Sequence, residues 1–194
     1  MHIVIYGPEG SGKGTQAKLL SQKLSVPVYT SGDLVREAAT HDTGPLGRVC
    51  KEALTEGKYV PDNEMFLLWE RKLHTGQAKK GFILDGFPRN RSQAEFLFKE
   101  IKKSGYNLDR VIYLSISDKE AILRLSKRKR KLFAGSTINH DERERVKKRL
   151  EAYRGKEASL LKFFQEKKLL TQINAKGTVE EVFQKILTSL GFSK

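Results

Sequence analysis

Gly7-Pro8-Glu9-Gly10-Ser11-Gly12-Lys13-Gly14-Thr15-Gln16 is the stretch whose reading decides the fold. It follows G-x-x-x-x-G-K-[S/T] with the hydroxyl one place late, at Thr15, which makes it a P-loop variant with an extra glycine. Gly10, Ser11, Gly12 and Gly14 are small enough for successive backbone N–H groups to point at phosphate oxygens. The helix that follows adds the positive end of its dipole. Lys13 supplies a mobile charge for the β/γ-phosphates, and Thr15 a hydroxyl for Mg²⁺. The flanks agree. His2–Tyr6 reads as a buried strand, and Lys13–Leu24 as a helix with Ala17, Leu20 and Leu24 inward. A chance glycine-rich turn would lack this strand–loop–helix setting.

Outward from that loop, strand-like runs alternate with helical ones, at His2–Tyr6, Pro27–Tyr29, Phe82–Leu84, Arg110–Ile116 and Leu169–Ile173. The alternation predicts an α/β fold of the P-loop NTPase type. Its core would be a five-stranded parallel sheet with helices on both faces. Ligands in such sheets bind beyond the carboxyl ends of the strands. The third strand ends in Asp85-Gly86-Phe87-Pro88-Arg89, where a Walker B aspartate would sit. Asp85 could hold Mg²⁺ directly or through water. Gly86 permits close approach to the backbone, and Arg89 could fork onto a phosphate.

Between the second and third strands, Thr30-Ser31-Gly32-Asp33-Leu34-Val35-Arg36 opens a short helix with Ser31 expected as its N-cap. A second short helix runs from Leu46 to Thr55 and stops at Gly57. Two short helices there suggest either an inserted flap over the site or ordinary crossover packing. A helix from Asp62 to about Gly76 carries Met65, Leu68, Trp69 and Leu73 on one face, as core. Further on, Ile122, Leu123 and Leu125 are expected inward, while Arg124 and Arg128, four apart, share a face. Thr178 and Glu181 form a capping box for a last amphipathic helix bearing Val179, Val182, Phe183, Ile186, Leu187 and Leu190.

The bulk numbers set limits. With 194 residues, 38% hydrophobic and 31% charged, one compact domain is expected. The single cysteine, Cys50, excludes an internal disulfide framework and a cysteine-cluster zinc site. The four histidines, His2, His41, His74 and His140, are scattered and read as non-catalytic. The first strand begins at residue 2 and no apolar run approaches membrane-spanning length, so no leader and a soluble, cytoplasmic protein are expected. The formal net charge is +14, concentrated between Lys119 and Arg149, where 12 Lys/Arg face 4 Asp/Glu. Such a block fits a phosphate-rich partner, a nucleic acid or a solvated helical face.

These pieces together resemble the nucleoside monophosphate kinase family, and the short-lid adenylate kinases in particular. The resemblance is carried by the P-loop, Thr30–Arg36, Val60-Pro61-Asp62, Asp85–Asn90, Arg124 with Arg128, Lys148-Arg149-Leu150 and Asn174-Ala175-Lys176-Gly177, in the family's order over nearly the whole chain. It implies a core of residues 1–29, 61–127 and 142–194, an acceptor-nucleotide flap at 30–60 and a short lid at 128–141. It implies that the P-loop, Arg124, Arg128 and Gly177 hold ATP. Ser31, Arg36, Lys58, Val60, Gly86, Arg89, Gln93 and Arg149 would hold AMP. Lys13, Arg89, Arg128 and Arg149 would act on the transferring phosphoryl group.

The expected partners are Mg²⁺, without zinc, and ATP with AMP or another nucleoside monophosphate. The protein would act as a monomer with no membrane and no dedicated nucleic-acid site. Gln93, an amide with both a donor and an acceptor, favours a purine acceptor. UMP, CMP or GMP remain alternatives, as does a P-loop ATPase or nucleic-acid-binding module built on Lys127–Lys131. The family's lid arginine followed by two aspartates is replaced here by Ile138-Asn139-His140-Asp141. Arg130 and Arg143 are candidates to stand in for that arginine.

Overall fold

The structure is a computed structural model that describes residues 1–128 and 142–192. The lid readings at Arg130 and Ile138–Asp141 therefore lie outside the described residues.

Five strands, β1 (His2–Tyr6), β2 (Val28–Thr30), β3 (Phe82–Asp85), β4 (Arg110–Ser115) and β5 (Leu170–Asn174), form one sheet in the order β2-β3-β1-β4-β5. Every pairing is parallel. Parallel strands are buried on both faces, and β1 shows it, since all five residues of HIVIY are buried. Side chains alternate across a strand, so β1 feeds two cores. Ile3 and Ile5 join Ala17, Leu20, Ile83, Ile112 and Ile186 on one face. Val4 and Tyr6 join Trp69, Leu84, Leu97 and Phe164 on the other.

The first core is closed by α1 (Lys13–Leu24) and α9 (Val179–Ser189), the second by α4 (Asp62–Leu73), α6 (Arg91–Lys103) and α8 (Arg143–Glu166). Thr178 and Glu181 make the expected capping box at the start of α9. A third small cluster, Ala121, Leu125, Val146 and Leu150, packs α7 (Asp118–Arg128) on α8. Among the described residues no helix is long and apolar enough to cross a membrane.

Several sequence expectations need correction. The ends of β2, β3, β4 and β5 each differ by one residue from the expected ends, because parallel pairing and not the apolar run sets them. Thr30 pairs opposite Asp85, for instance, and both belong to strands. Thr30 is also the cap of α2 (Ser31–His41): its hydroxyl oxygen accepts from the Asp33 N–H at 2.9 Å. Ser31 is the first helical residue, and its hydroxyl donates instead to Gly86 O at 2.8 Å. The helix from Asp62 stops at Leu73, and a separate turn, α5 (Gly76–Lys80), starts from the cap Thr75. Leu123 and Val179 are exposed, with Ala121 taking the inward place on α7. The helix α3 (Pro45–Glu56) ends at a left-handed Gly57, as expected, and packs on α2.

Candidate active site

The register of the sheet sets the site. Ile5 on β1 and Thr30 on β2 both pair with Asp85 on β3. Three chain exits therefore lie side by side at one edge: the P-loop after β1, α2 after β2, and the Asp85–Arg89 turn after β3. The P-loop needs its glycines. Gly10 has φ +84°, and a Cβ there would lie 2.8 Å from Ala121 O. Gly12 is left-handed, and α1 starts after it without a side-chain cap. The uncapped first turn directs backbone N–H groups outward, which suits an anion.

Lys13 curls back over this loop and donates to Gly7 O at 2.7 Å and Pro8 O at 2.9 Å. Burial pulls its ammonium pKa below the usual lysine value; the Asp85 and Glu9 carboxylates push it back up, and the Arg89 and Arg128 charges lower it further. The charges of Asp85, Glu9, Arg89 and Arg128 thus all act on the Lys13 ammonium. A Cβ on Gly14 would lie 3.4 Å from Asp85 Oδ2, which turns that carboxylate toward the first turn of α1, where Thr15 lies. Thr15 and Asp85 form an all-oxygen pair of the hard type that Mg²⁺ takes together with water and phosphate oxygens, so the residues fit that ion.

The facing side is built from the Asp85–Arg89 turn. Arg89 Nε donates to Gly86 O at 2.7 Å, which also accepts the Ser31 hydroxyl. The Arg89 guanidinium lies over the Tyr59 ring, 4.3 Å from its centroid. Gln93 is buried, with its amide oxygen accepting from Arg89 N–H at 2.7 Å and its amide nitrogen donating to Asp62 Oδ1 at 2.6 Å. Asp62 also accepts from Asn90, the cap of α6, so α4 and α6 together brace the Arg89 turn. Arg36 pairs with Asp33 at 2.6 Å one turn into α2. The Lys58 side chain pairs with exposed Glu56 and does not join the group, whereas Val60 is buried in the core.

Arg149, in the second turn of α8, is aimed by Val146 and Leu150, which bury the neighbouring face against α7. It reaches the P-loop and donates from Nε to both oxygens of Glu9 at 3.0 Å. Arg124 pairs with Glu120 and donates to Ala175 O at 3.1 Å, which puts it beside the loop bearing Gly177.

Three residues that sequence reasoning passed over belong here: Glu9, Tyr59 and Asp62. Glu9 stood inside the quoted motif as an acid in an anion cradle, and that was its signal. Asp62 stood in the quoted Val60-Pro61-Asp62 stretch without a role, and Tyr59 gave no signal, because their roles depend on Arg89 and Gln93 arriving from elsewhere. Away from the sheet edge, Glu70, His74 and Glu100 form a His/carboxylate cluster that the scattered histidines did not foreshadow. Glu100 there already pairs with His74 at 3.0 Å and Lys103 at 2.8 Å.

Comparison with known proteins bears on the chain as a whole. Residues 5–169 match the family model for adenylate kinase. A Thermobifida fusca protein named adenylate kinase is 38% identical over 190 residues, covering 98% of each chain. Adenylate kinase 1 of a Nostoc species is 36% identical, covering 97% of this chain and 98% of its own. The adenylate kinase of Xanthomonas oryzae pv. oryzae is 35% identical, covering 98% and 100%. With the P-loop, the parallel sheet and end-to-end likeness in agreement, the chain belongs to the adenylate kinase family.

Proposed function

We propose that the protein catalyses reversible, Mg²⁺-dependent phosphoryl transfer from ATP to AMP, giving two ADP, by direct in-line displacement. The observation that carries this reading is that the P-loop, with Lys13 folded on it and Arg149 reaching it, leaves the sheet beside the Asp85–Arg89 turn and the start of α2. A plain ATPase needs the P-loop half alone; the braced Arg89 turn with Arg36 makes a second phosphate grip. The ATP phosphates rest on the backbone of Gly10–Thr15 and on Lys13, with Arg124 and Gly177 at the base end. The AMP phosphate is taken by Arg36 and Arg89. Its base is framed by Ser31, the backbone of Lys58–Val60, Gly86 and Gln93.

An oxygen of the AMP phosphate attacks the γ-phosphorus, and the bond from that phosphorus to the β-phosphate oxygen breaks. The attacking oxygen is already anionic at neutral pH, so no general base is assigned. Lys13, Arg89, Arg128 and Arg149 neutralise and align the charge that spreads over the transferring group. Thr15 and Asp85 would hold Mg²⁺, which when bound would supply further charge neutralisation at the donor phosphates. Residues 30–60 act as the acceptor flap and 128–141 as a short lid, which keep water from taking the phosphoryl group. A monomer in the cytoplasm fits this chemistry and the lone free thiol of Cys50.

The test is a coupled assay of ADP formation from ATP with AMP, UMP, CMP and GMP offered separately. The expected result is the largest kcat/KM with AMP. A larger value with a pyrimidine monophosphate would replace AMP as the acceptor.

A further inference from the structure

The cradle for phosphates contains an acid. Glu9 lies in the loop whose backbone N–H groups and following helix favour anions, so its carboxylate opposes the ligand the loop is shaped for. The structure shows where that charge goes. Arg149 Nε donates to both Glu9 oxygens at 3.0 Å, and Arg149 Nη2 stands 2.9 Å from Oε2. The Arg149 side chain is 11% exposed and that of Glu9 29%, so water screens the pair only in part. The same carboxylate is among the charges that raise the Lys13 pKa against the lowering by burial. Glu9 therefore serves two of the cations assigned to the transferring phosphates. A guanidinium fork fits a carboxylate and a phosphate alike, so the two compete for it.

We propose that Glu9 is an internal stand-in for nucleotide phosphate, a positioning residue that holds Arg149 on the P-loop before ATP binds and gives it up to ATP. The inference rests on the reading of Arg149 as a phosphate ligand. Glu9 keeps the cationic cradle ordered, and it lowers ATP affinity because each binding event must first break the Glu9–Arg149 pair. Removing the charge and keeping the shape relieves that competition.

The experiment is calorimetric titration with Mg·ATP, without acceptor, of the parent protein, Glu9→Gln, Glu9→Asp, Arg149→Ala and the Glu9→Gln/Arg149→Ala double variant. Folding of each is checked by its melting temperature, with Arg149→Lys in reserve should Arg149→Ala melt early. Glu9→Gln is expected to tighten ATP binding about threefold to tenfold, the scale of one partly screened ion pair. Its KM for ATP falls in step, while Glu9→Asp stays near the parent. On the Arg149→Ala background the Gln substitution adds no tightening.

Unchanged or weaker ATP binding by Glu9→Gln, with only a lower melting temperature, would show a structural tie and overturn the proposal. The same tightening with and without Arg149 would also overturn it, because the effect would then be plain repulsion. If Arg149→Ala alone binds ATP like the parent, Arg149 does not grip the ATP phosphates before AMP arrives and this inference falls, whereas its assignment to the transferring group stands or falls on kcat.

Discussion

Lys13 carries the heaviest functional demand of any single residue. Its side chain is half-buried, with the ammonium held by two P-loop carbonyls and balanced by Asp85 and Glu9. Lys13→Ala removes the mobile charge and leaves carbonyls that water can reach. We expect kcat/KM to fall by about 10²–10³, the scale of losing one preorganised electrostatic contact, with the melting temperature nearly unchanged. Steady-state kinetics and circular dichroism on one preparation check this.

A second residue-scale expectation concerns Tyr59, whose ring lies under Arg89. Tyr59→Leu keeps an apolar body and loses the cation–π contact, worth about 0.5–1 kcal/mol at a part-exposed site. The acceptor KM should rise roughly twofold to fivefold, since 1.4 kcal/mol is a factor of ten. The KM for ATP should move less. An equal rise in both would mean that Tyr59 supports the site as a whole. Lys13 was legible in the sequence because the P-loop concentrates its evidence in ten adjacent residues. Tyr59 was not, because nothing near it in the chain announces Arg89, thirty positions on.

Elements were legible where one chemical signal marks their ends, and blurred where tertiary pairing does. Gly57, the Thr178/Glu181 box and the apolar stripe of α4 were all readable, since caps and periodicity are local. The Thr30 and Ser31 roles were exchanged because two adjacent hydroxyls both suit an N-cap, and the contact with Gly86 O decides between them. The step from α4 to α5 was hidden for a similar reason. The chain after Leu73 is tied down by Tyr106, whose hydroxyl donates to Leu73 O at 3.1 Å from beyond α6.

That bond supports a stability prediction. Burial pushes the Tyr106 pKa up from 10.0 to about 12, so the folded state prefers the neutral phenol. A raised folded pKa means stability that is complete below the unfolded value of 10.0 and lost as pH rises toward about 12. Tyr106→Phe should cost about 1 kcal/mol at neutral pH through the lost buried hydrogen bond. Its urea stability should then fall less steeply between pH 10 and 12 than the parent's. An equal slope in parent and variant would remove Tyr106 from the alkaline transition.

At the scale of the molecule, the parallel sheet gathers what the sequence spreads out. The P-loop, the Asp85–Arg89 turn and α2 are far apart in the chain and meet because β1, β2 and β3 end at one level, and α8 is brought to them by its packing on α7. The sheet and the P-loop half of the site were legible from strand–helix alternation, since each βαβ unit carries its own apolar pattern. The way Arg149 is held was not, because a long charged helix gives no sign of which cation turns toward Glu9. Some of the charge between Lys119 and Arg149 is spoken for in the same way. Arg124 pairs with Glu120 and Lys147 with Glu144 along their own helices, while Arg149 alone of the three pairs with a carboxylate outside its own helix, at Glu9.

The central claim is that two nucleotides react directly with each other at one edge of this sheet. The measurement that tests it is the stoichiometry of ADP formed from ATP in the presence and absence of AMP, with every nucleotide separated and counted. The account predicts two ADP for each AMP consumed, no orthophosphate, and almost no ADP when AMP is left out. ADP and orthophosphate released from ATP at a rate that AMP does not change would contradict it.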